Sequence, residues 1–355
     1  MRKILVTGVG GPTPRSFVRA IKVYGGTAAS DYEFIGVDCN PLAYGLYDKT
    51  LFSKGIVVPP AHNLYYWDKI NEVIEANDIE GAIILPEIEV IEWAKNNSNL
   101  NKSIRLHLPS HVLSLVLTDK HALHQHLCGT GLIPKFQQLD PAHYDYQQLV
   151  AQVGQPFWIR SNSGSSGLGS LKIKEAAELQ QWMAINPGIR EYLATEYLPG
   201  RNMACKLLYY DGQLQRTVCA ERVNYIMAKV APSGITGNTA FGRLLNCPKL
   251  VELAVQALEH IARKYNSGLN GIFTVDFKEA ADGRAKITEV NIRHVAFTSS
   301  LAAGGANLPL DTLNFMFGKQ PPDEAPVHYQ FEEDLVFLRD VDADPIVMKA
   351  SDLFK

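Results

Sequence analysis

The first hundred residues alternate short apolar runs with helical patterns, and this alternation constrains the fold more than any other feature of the sequence. Apolar runs that suit buried strands occur at residues 4–6, 34–37, 56–58 and 82–85, with helical patterns near 15–24 and 67–76. Such an alternation predicts a parallel, doubly wound sheet with helices on both faces. The pattern changes after Pro109, so we place a domain boundary near residue 110.

The region that follows this boundary has the pattern of an antiparallel α+β fold. Strands are predicted at residues 157–160, 171–174, 192–197, 203–210 and 213–220, with a helix near 175–184. Asp211-Gly212 lies between the last two strands and is a strong hairpin signal. A further helix is predicted over residues 248–265, because the apolar residues there recur at helical spacing.

Composition and charge narrow the classes of function. The chain has 355 residues, enough for two or three domains, and 46% of them are hydrophobic, as in ordinary globular proteins. A net charge of -3 offers no basic footprint for nucleic acid, so small molecules are the expected partners. The five scattered cysteines form no metal-binding or redox pair, and we find no signal peptide or membrane-spanning segment. We therefore expect a cytoplasmic protein without a membrane partner.

Residues 271–293 predict a β-hairpin that brings two carboxylates together. If Asp282-Gly283 forms a tight turn, Asp276 lies opposite Glu289, with Cβ atoms about 5 Å apart. Two carboxylates that face each other across a sheet repel, so the arrangement suits a site for a hard divalent cation such as Mg2+. A solvated sheet face, or another turn register, is the alternative interpretation.

The second strand of this hairpin carries two further polar residues. Side chains alternate along a strand, so Asn291 shares the face of Glu289, and Arg293 shares it if the strand remains extended. The amide of Asn291 would add another oxygen ligand beside the two carboxylates.

A loop rich in glycine and serine, residues 161–169, follows the predicted strand at 157–160. Small residues let backbone N–H groups approach phosphate oxygens closely, hydroxyl groups add donors, and Arg160 supplies a positive charge at the end of the strand. The loop is not a Walker A motif, because the G-K-[ST] ending is absent. It predicts a phosphate-binding loop, with a flexible surface turn as the alternative.

Taken in order, these motifs resemble those of ATP-grasp enzymes over nearly the whole chain, most closely the carbamoyl-phosphate-synthase-like group. The similar segments are DK at 119–120 with GLIP at 131–134, the strand and loop at 156–169, EYLPG at 196–200, TVDFKEAADGRAKITEVNIR at 274–293 and GGANLP at 304–309. The resemblance implies a mixed α/β and α+β fold, with a Rossmann-like pre-ATP-grasp domain followed by a two-subdomain ATP-grasp fold. The implied ranges are 1–110 for the Rossmann-like domain, 111–195 for linker helices and lid subdomain, 196–320 for the C-terminal subdomain and 321–355 for an extension that packs on the core.

The same resemblance implies roles for individual residues. ATP would be bound by Lys120, Arg160, Ser163, Gly164, Ser165, Ser166, Gly167 and the adenine hinge of Glu196, Tyr197 and Leu198. Asp276, Glu289 and Asn291 would ligate Mg2+, with Mn2+ as an alternative ion. Asn291 and Arg293 would serve catalysis, Arg293 by stabilising negative charge on the transferred phosphoryl group or the acyl phosphate. Three positions depart from the family pattern. Arg160 stands where many members have lysine, although the carbamoyl phosphate synthase branch has arginine there, and Asn202 and Lys206 stand where a glutamate and an aspartate are common.

The implied reaction is ATP-dependent ligation of a small carboxylate, expected to be an amino acid, to an amine through an acyl phosphate. Phosphorylation of bicarbonate or carbamate, as in carbamoyl phosphate synthase, is an alternative. A regulatory module that binds ATP without turnover is an alternative of another class. A homodimer is compatible with the resemblance, because many relatives are dimers.

Three further residues are candidates for binding the two substrates. Glu87 follows the fourth apolar run, at the edge where open α/β sheets bind ligands, and could hold a substrate amine. An acidic first turn of a helix is the alternative interpretation. Arg222 and Arg243 lie in a segment rich in turn residues, where either could bind a substrate carboxylate through two parallel hydrogen bonds. Ordinary loop solvation is the alternative for both.

Overall fold

The N-terminal part of the chain forms a parallel sheet of five strands, as the alternation of apolar runs predicts. The computed structural model describes residues 1–162, 167, 169–319, 322–323, 325–340 and 346–352. The strands of this first sheet are β1 (Arg2–Thr7), β2 (Tyr32–Asp38), β3 (Lys54–Val57), β4 (Gly81–Ile83) and β5 (Arg105–Leu106). Helices α1 (Pro12–Lys22), α2 (Tyr66–Ala76) and α3 (Glu87–Asn96) lie between them in sequence. The spatial order is β3-β2-β1-β4-β5, so the connection changes direction between β1 and β4.

Both faces of the first sheet are buried. On one face, Ile4 and Val6 pack in a cluster with Phe17 of α1 and with Leu313 and Met316, which come from the far end of the chain. On the other face, the alternate residues of the strands join a second core that includes α2 and α3. Continuous apolar strands are the pattern of a parallel sheet that is covered on both sides.

A second, antiparallel sheet of four strands follows two linking helices. The helices are α4 (His111–Thr118) and α5 (Lys120–His126), and the strands are β6 (Phe136–Leu139), β7 (Phe157–Ser161), β8 (Leu171–Ile173) and β9 (Tyr192–Glu196). Their spatial order is β6-β9-β7-β8. Helices α6 (Tyr146–Val153) and α7 (Ala176–Ile185) contribute to the small core that this sheet covers.

The third sheet is the largest, with eight strands. They are β10 (Asn202–Tyr210), β11 (Gln213–Tyr225), β12 (Thr239–Leu245), β13 (Gly271–Glu279), β14 (Ala285–Asn291), β15 (Val327–His328), β16 (Leu335–Leu338) and β17 (Ile346–Lys349). The order is β14-β13-β10-β11-β12-β16-β17, with β15 paired to β11. Strand β11 continues to Tyr225 rather than ending at residue 220 as predicted.

Helices cover both faces of this third sheet. The amphipathic helix α8 (Pro248–Lys264) packs on one face, within one residue of its predicted range. On the opposite face, α9 (Thr298–Ala303) and α10 (Leu308–Met316) join a core with Phe297 and Phe337. Helices α9 and α10 also contact α1 and so connect the third sheet to the first. Within the described part of the chain, no helix combines the length and the apolar character that a membrane crossing requires.

The loop of the β13-β14 hairpin is longer than the tight turn that we predicted. Ala280 N donates to Arg284 O at 2.9 Å, and Gly283 N donates to Ala280 O at 3.0 Å, so three residues rather than two close the hairpin. Gly283 adopts a φ of +79°, which glycine accepts without strain, and this supports the common three-residue hairpin loop.

A β-bulge corrects the register before the strands reach the carboxylates. Near the loop, Phe277 pairs with Ile287, one position away from the predicted register, whereas farther along Asp276 pairs with Glu289 as predicted. The extra residue in β14 is Thr288, whose hydroxyl donates to Asp276 O at 3.2 Å. The predicted turn was therefore wrong, but the predicted pairing of the two carboxylates is confirmed.

Candidate functional site

A cleft separates the second sheet from the third. It encloses about 940 Å³ of empty space, a volume that includes its open mouth. Residues of β7 and β9 line one side, and residues of β10, β13 and β14 line the other. The cleft therefore lies between two rigid sheets, which can hold side chains in fixed positions.

The Asp276–Glu289 pair lies at this cleft, on adjacent strands of the hairpin. Asp276 is 6% exposed, and its Oδ2 accepts hydrogen bonds from Arg222 Nη1 at 3.0 Å and Asn291 Nδ2 at 3.3 Å. Its Oδ1 is buried without a hydrogen-bond partner among the described residues. An unpartnered buried carboxylate oxygen is costly, and a cation bound beside it would remove that cost.

The two carboxylates have opposite pKa shifts. Burial, together with the negative charge of Glu289, raises the pKa of Asp276 to about 7 despite the nearby Arg222. Burial also acts to raise the pKa of Glu289, but the positive charges of Lys120 and Arg160 outweigh it and lower that pKa. The pair thus favours one shared proton, held on Asp276, and a divalent cation would displace it.

These oxygen ligands suit a Mg2+ ion whose coordination is completed by a nucleotide. The carboxylates of Asp276 and Glu289 and the amide of Asn291 lie together. The described ranges contain no cluster of three or more His, Cys, Asp or Glu residues that could hold a metal through protein ligands alone. Mg2+ commonly binds one or two carboxylates and takes its remaining oxygens from phosphates and water. The residues present therefore fit Mg2+, or the similar Mn2+, in the presence of phosphate groups.

Arg160 stands at the end of β7, opposite this pair. Its Nη2 donates to the carbonyl oxygen of Thr288, the bulged residue, and its Nη1 lies 3.7 Å from Glu289 Oε2. The guanidinium group is 8% exposed, so it is held rather than free to move. From the sequence we predicted that Arg160 contacts phosphate groups. In the structure its guanidinium group lies beside Glu289, one of the two carboxylates that would bind the cation.

Lys120 lines the cleft and belongs to a hydrogen-bond network that was not predicted from the sequence. Asp119 caps α5 by accepting from Ala122 N at 2.8 Å, and Asn162 Oδ1 accepts from His121 N at 2.8 Å. The amide of Asn162 donates to Asp119 at 3.3 Å, and Lys120 Nζ donates to Asn162 O at 3.4 Å. Asp before a helix is a recognisable capping signal, but nothing local connects it to a residue 43 positions away.

The predicted hinge residues Glu196, Tyr197 and Leu198 all line the cleft, in the connection between β9 and β10. Leu198 is 5% exposed, and Lys172 Nζ lies 3.8 Å from the centre of the Tyr197 ring. Trp158, Met203 and Phe277 line the cleft as well, and they were not predicted. These apolar residues could have been suggested only by knowing which strands pair, since each lies in an ordinary strand pattern.

Of the predicted phosphate-loop residues, Gly167 lies at the cleft. Its φ is +74°, and a Cβ atom there would lie 2.5 Å from Ile235 O, so a larger residue would clash with the backbone. Ser163, Gly164, Ser165 and Ser166 lie outside the described residues.

Glu87 and Arg293 lie close to the site without lining the cleft itself. Glu87 begins α3, so it is an acidic residue of a helix first turn, as the alternative interpretation predicted. Burial raises the pKa of Glu87, whereas the positive charges of Arg293 and Lys120 oppose that shift. Arg293 Nη1 donates to His294 O at 3.1 Å.

The two arginines proposed to bind a substrate carboxylate occupy opposite faces of the third sheet. Arg222 points to the Asp276 face, where it also donates to Gly237 O at 3.0 Å. Arg243 pairs with Glu221, the neighbour of Arg222 in β11, at 3.3 Å. Because side chains alternate along a strand, this pairing places Arg243 on the face opposite to that of Arg222, and Arg243 does not line the cleft.

Solved structures of related fold cover nearly the whole chain. N5-carboxyaminoimidazole synthetase from Staphylococcus aureus, complexed with ADP, aligns with a TM-score of 0.70 and 14% identity over 95% of this chain and 82% of that chain. L-amino acid ligase from Bacillus licheniformis gives a TM-score of 0.64 and 12% identity over 95% and 79% of the two chains. The biotin carboxylase domain of 2-oxoglutarate carboxylase from Hydrogenobacter thermophilus gives 0.66 and 14% over 95% and 74%. No family model and no curated protein matches the sequence.

The chain has the ATP-grasp fold. Its second and third sheets are the two that enclose the cleft, and the first sheet precedes them in sequence. At 12% to 14% identity the likeness is one of fold. The side chains of this chain, rather than the shared fold, therefore decide which chemistry the cleft can support.

Proposed function

We propose that this ATP-grasp chain is an ATP- and Mg2+-dependent ligase that joins a small carboxylate, such as an amino acid, to an amine. One observation carries the proposal: Asp276 and Glu289 face each other at the cleft, with an unpartnered carboxylate oxygen and with Arg160 and Lys120 alongside. Opposed carboxylates next to two cations are expected where a metal and a chain of phosphates bind together.

The domain assignment belongs to the same proposal. We assign 1–110 to a Rossmann-like pre-ATP-grasp domain, 111–195 to linker helices and lid, 196–320 to the C-terminal subdomain and 321–355 to an extension on the core. The order β3-β2-β1-β4-β5 of the first sheet supports the Rossmann-like assignment, because it matches the first five strands of the doubly wound dinucleotide fold. A homodimer is part of the proposal, supported by the dimer seen for the biotin carboxylase domain; light scattering tests it.

The nucleotide would lie along the cleft from the hinge to the hairpin. The backbone of Glu196 and Leu198 would bind adenine, beside the apolar residues of the cleft. Lys120 and Arg160 would bind phosphate oxygens through charge-assisted hydrogen bonds. Gly167, at the cleft, would let the backbone approach the phosphates closely.

Phosphoryl transfer requires little covalent chemistry from the protein. A carboxylate oxygen of the substrate attacks the γ-phosphorus, and the bond between the γ-phosphorus and the oxygen that bridges it to the β-phosphate breaks. ADP is released, and the substrate becomes an acyl phosphate. An amine then attacks the acyl carbon, loses a proton and releases inorganic phosphate. A bound Mg2+ would neutralise negative charge on the phosphates. Asp276, Glu289 and Asn291 would hold that ion, and Arg293 would stabilise charge on the transferred group.

The acceptor would bind on the side of the first sheet. Glu87 lies at the carboxyl edge of the sheet, next to the change of direction between β1 and β4, where open α/β sheets bind ligands. Its carboxylate would hold the amine, and Arg222 would contact a substrate carboxylate. Bicarbonate is a second candidate for the phosphorylated group, because the biotin carboxylase domain of similar fold was solved with MgADP and bicarbonate.

The test is ADP production from ATP and Mg2+ in the presence of pooled amino acids or bicarbonate. Glu289→Gln should lower the rate by more than about 100-fold, since even an indirect partner of a metal ligand is worth about 10- to 100-fold. Replacing Mg2+ by Mn2+ should retain activity. Glu252→Gln is the matched control, because Glu252 is an exposed residue of α8 that pairs with Lys249.

The outcomes separate the three candidate functions. ADP release that requires an amino acid supports the amide ligase, and release that requires bicarbonate supports the alternative. Tight ATP binding without any ADP release supports a regulatory module. Turnover that survives Glu289→Gln would show that the metal site is elsewhere.

A further inference from the structure

Lys206 is a buried lysine without a hydrogen-bond partner. It lies in β10, is 1% exposed, and its Nζ has no partner among the described residues. Thr274 lies directly opposite it in β13, and the buried Oγ1 of Thr274 has no partner either. Asp276 follows two positions later on the same face, with its own unpartnered Oδ1. The unpartnered Nζ of Lys206 and Oγ1 of Thr274 thus lie on adjacent strands, beside a member of the carboxylate pair.

Such a cluster is unfavourable unless something polar binds there. An unpaired buried polar group costs about 1 to 3 kcal/mol in proteins, and a charged group costs more. Burial lowers the pKa of Lys206 well below its ordinary value, with Asp276 opposing the shift. The ring centre of Phe297 lies 5.2 Å from Nζ. The aromatic face offers Lys206 some attraction but accepts no strong hydrogen bond.

Two guanidinium groups lie on the same side of the sheet. Arg222 Nε donates to Thr239 Oγ1 at 3.2 Å, and Arg339 Nη1 donates to Thr239 O at 2.7 Å, so the two arginines bracket one residue. Arg339 also donates to Asn238 Oδ1 at 2.9 Å. Among the described residues, both hydrogen-bond acceptors of the Arg339 side chain are neutral, and they hold the guanidinium group in place.

Helix α1, which packs on the first sheet, adds positive charge to this region. Arg15 and Arg19 lie one turn apart on α1 and therefore share a face of the helix. The pKa of Arg339 is lowered to about 10 by burial and then by the positive charges of Arg19, Arg15 and Arg222. Arg293 acts similarly on Lys206. Like charges that converge from three separate segments repel, so the arrangement has a physical reason if an anion binds among them.

We propose that this basic region, formed by Lys206, Arg222, Arg339 and Arg15, binds a dianionic group of the acceptor substrate. The group is a phosphomonoester or a pair of carboxylates, because arginine forks match both geometries. The inference rests on the proposed ligase function and deepens it by naming the class of acceptor. The dianion anchors the substrate next to α1, and the reacting end extends towards the Asp276–Glu289 pair.

Isothermal titration calorimetry tests the proposal with two probes, inorganic phosphate and succinate, at constant ionic strength. The protein is first saturated with Mg2+ and a non-hydrolysable ATP analogue, so that the probes do not bind in place of the nucleotide phosphates. We expect one equivalent of at least one probe to bind. Arg339→Gln and Lys206→Met should each weaken it by about 10- to 100-fold, the value of a hydrogen bond to a charged group.

Arg263→Gln is the matched control, because the side chain of Arg263 is 71% exposed on α8 and pairs with Glu259. It should bind probe and nucleotide as the wild type does. Binding of phosphate alone identifies a phosphomonoester acceptor, and binding of succinate alone identifies a dicarboxylate.

Failure of the ligase proposal and failure of the dianion site give different results in this experiment. If the ATP analogue does not bind to the wild type, the ligase proposal falls and this inference falls with it. If the analogue binds but neither probe does, the ligase proposal stands and the dianion site is refuted. Wild-type probe affinity in both Arg339→Gln and Lys206→Met would also refute it. Nucleotide affinity is measured for each variant, so that a misfolded variant is not mistaken for a specific loss.

Discussion

Replacement of Lys206 by methionine should stabilise the folded protein, by an amount that grows as the pH falls. The side chain is fully buried on β10 without a hydrogen-bond partner among the described residues. Burial lowers the pKa of Lys206 in the folded state, whereas the unfolded chain has the ordinary lysine pKa. Methionine is unbranched and flexible, so it can occupy similar space without a charge to desolvate.

The size of the effect follows from proton linkage. A group whose folded pKa is depressed contributes no penalty above its unfolded pKa, and it destabilises the fold increasingly as the pH falls towards the folded value. Within that window the wild type loses about 1.4 kcal/mol of stability per pH unit, because folding must release the proton of Lys206. The advantage of Lys206→Met should therefore grow at that rate as the pH falls below the ordinary lysine pKa, until the pH reaches the lowered pKa of the folded state.

Urea-induced unfolding, followed by circular dichroism at three pH values in chloride buffers, measures this difference. The other titrating groups are shared by the two proteins and largely cancel in it. Lys249→Met is the control, since the side chain of Lys249 is 72% exposed, and it should change stability little at any pH. A stability difference that stays constant with pH would show that Lys206 keeps its proton in the fold, and would refute the reasoning. Added phosphate should shrink the difference if the dianion site is real.

Three further predictions concern other parts of the chain. Arg160→Gln should weaken binding of an ATP analogue by about 10- to 100-fold in calorimetry, because a charge-assisted phosphate contact is lost; unchanged affinity would contradict the phosphate assignment. Burial raises the pKa of Glu89 to about 7, so the wild type should lose up to about 3 kcal/mol of stability as the pH rises from about 4.5 to 7. Glu89→Gln should lack that loss in urea unfolding, and equal slopes for the two proteins would disprove it. Gly242→Ala should lower stability by about 1 to 3 kcal/mol, because the new Cβ would lie 2.4 Å from Phe337 Cζ and 2.5 Å from Glu221 O; an unchanged melting temperature would contradict this.

The hairpin shows what local sequence patterns can and cannot predict. Alternation and turn residues correctly predicted the two strands and the facing of Asp276 and Glu289. They missed both the three-residue loop and the bulge at Thr288, two one-residue errors that cancel at the site. The bulge depends on contacts from elsewhere in the fold, since Arg160 of the second sheet donates to the Thr288 carbonyl. No pattern within the hairpin contains that information.

Some residues of the candidate site could be proposed from the sequence, and others could not. Carboxylates and cations in recognisable motifs, such as Asp276 and Lys120, could be proposed from the sequence because their chemistry is visible in the residue type. Arg339 could not, because it reaches Thr239 only through the pairing of β12 with β16. Arg222 and Arg243 looked equivalent in the sequence, yet strand alternation separates them onto opposite faces. Long-range strand pairing therefore decides which of the candidate cations can meet.

The first sheet depends on a distant part of the chain, and this has a consequence for how the protein is made. Leu313 and Met316 complete the apolar cluster of Ile4 and Val6, and Ser16 Oγ donates to Ser299 Oγ at 2.9 Å. A nascent chain emerging from the ribosome would therefore leave part of one apolar face of its earliest sheet uncovered until some three hundred more residues had been translated. Contacts so distant in sequence slow folding, so this face is where a chaperone would bind during synthesis.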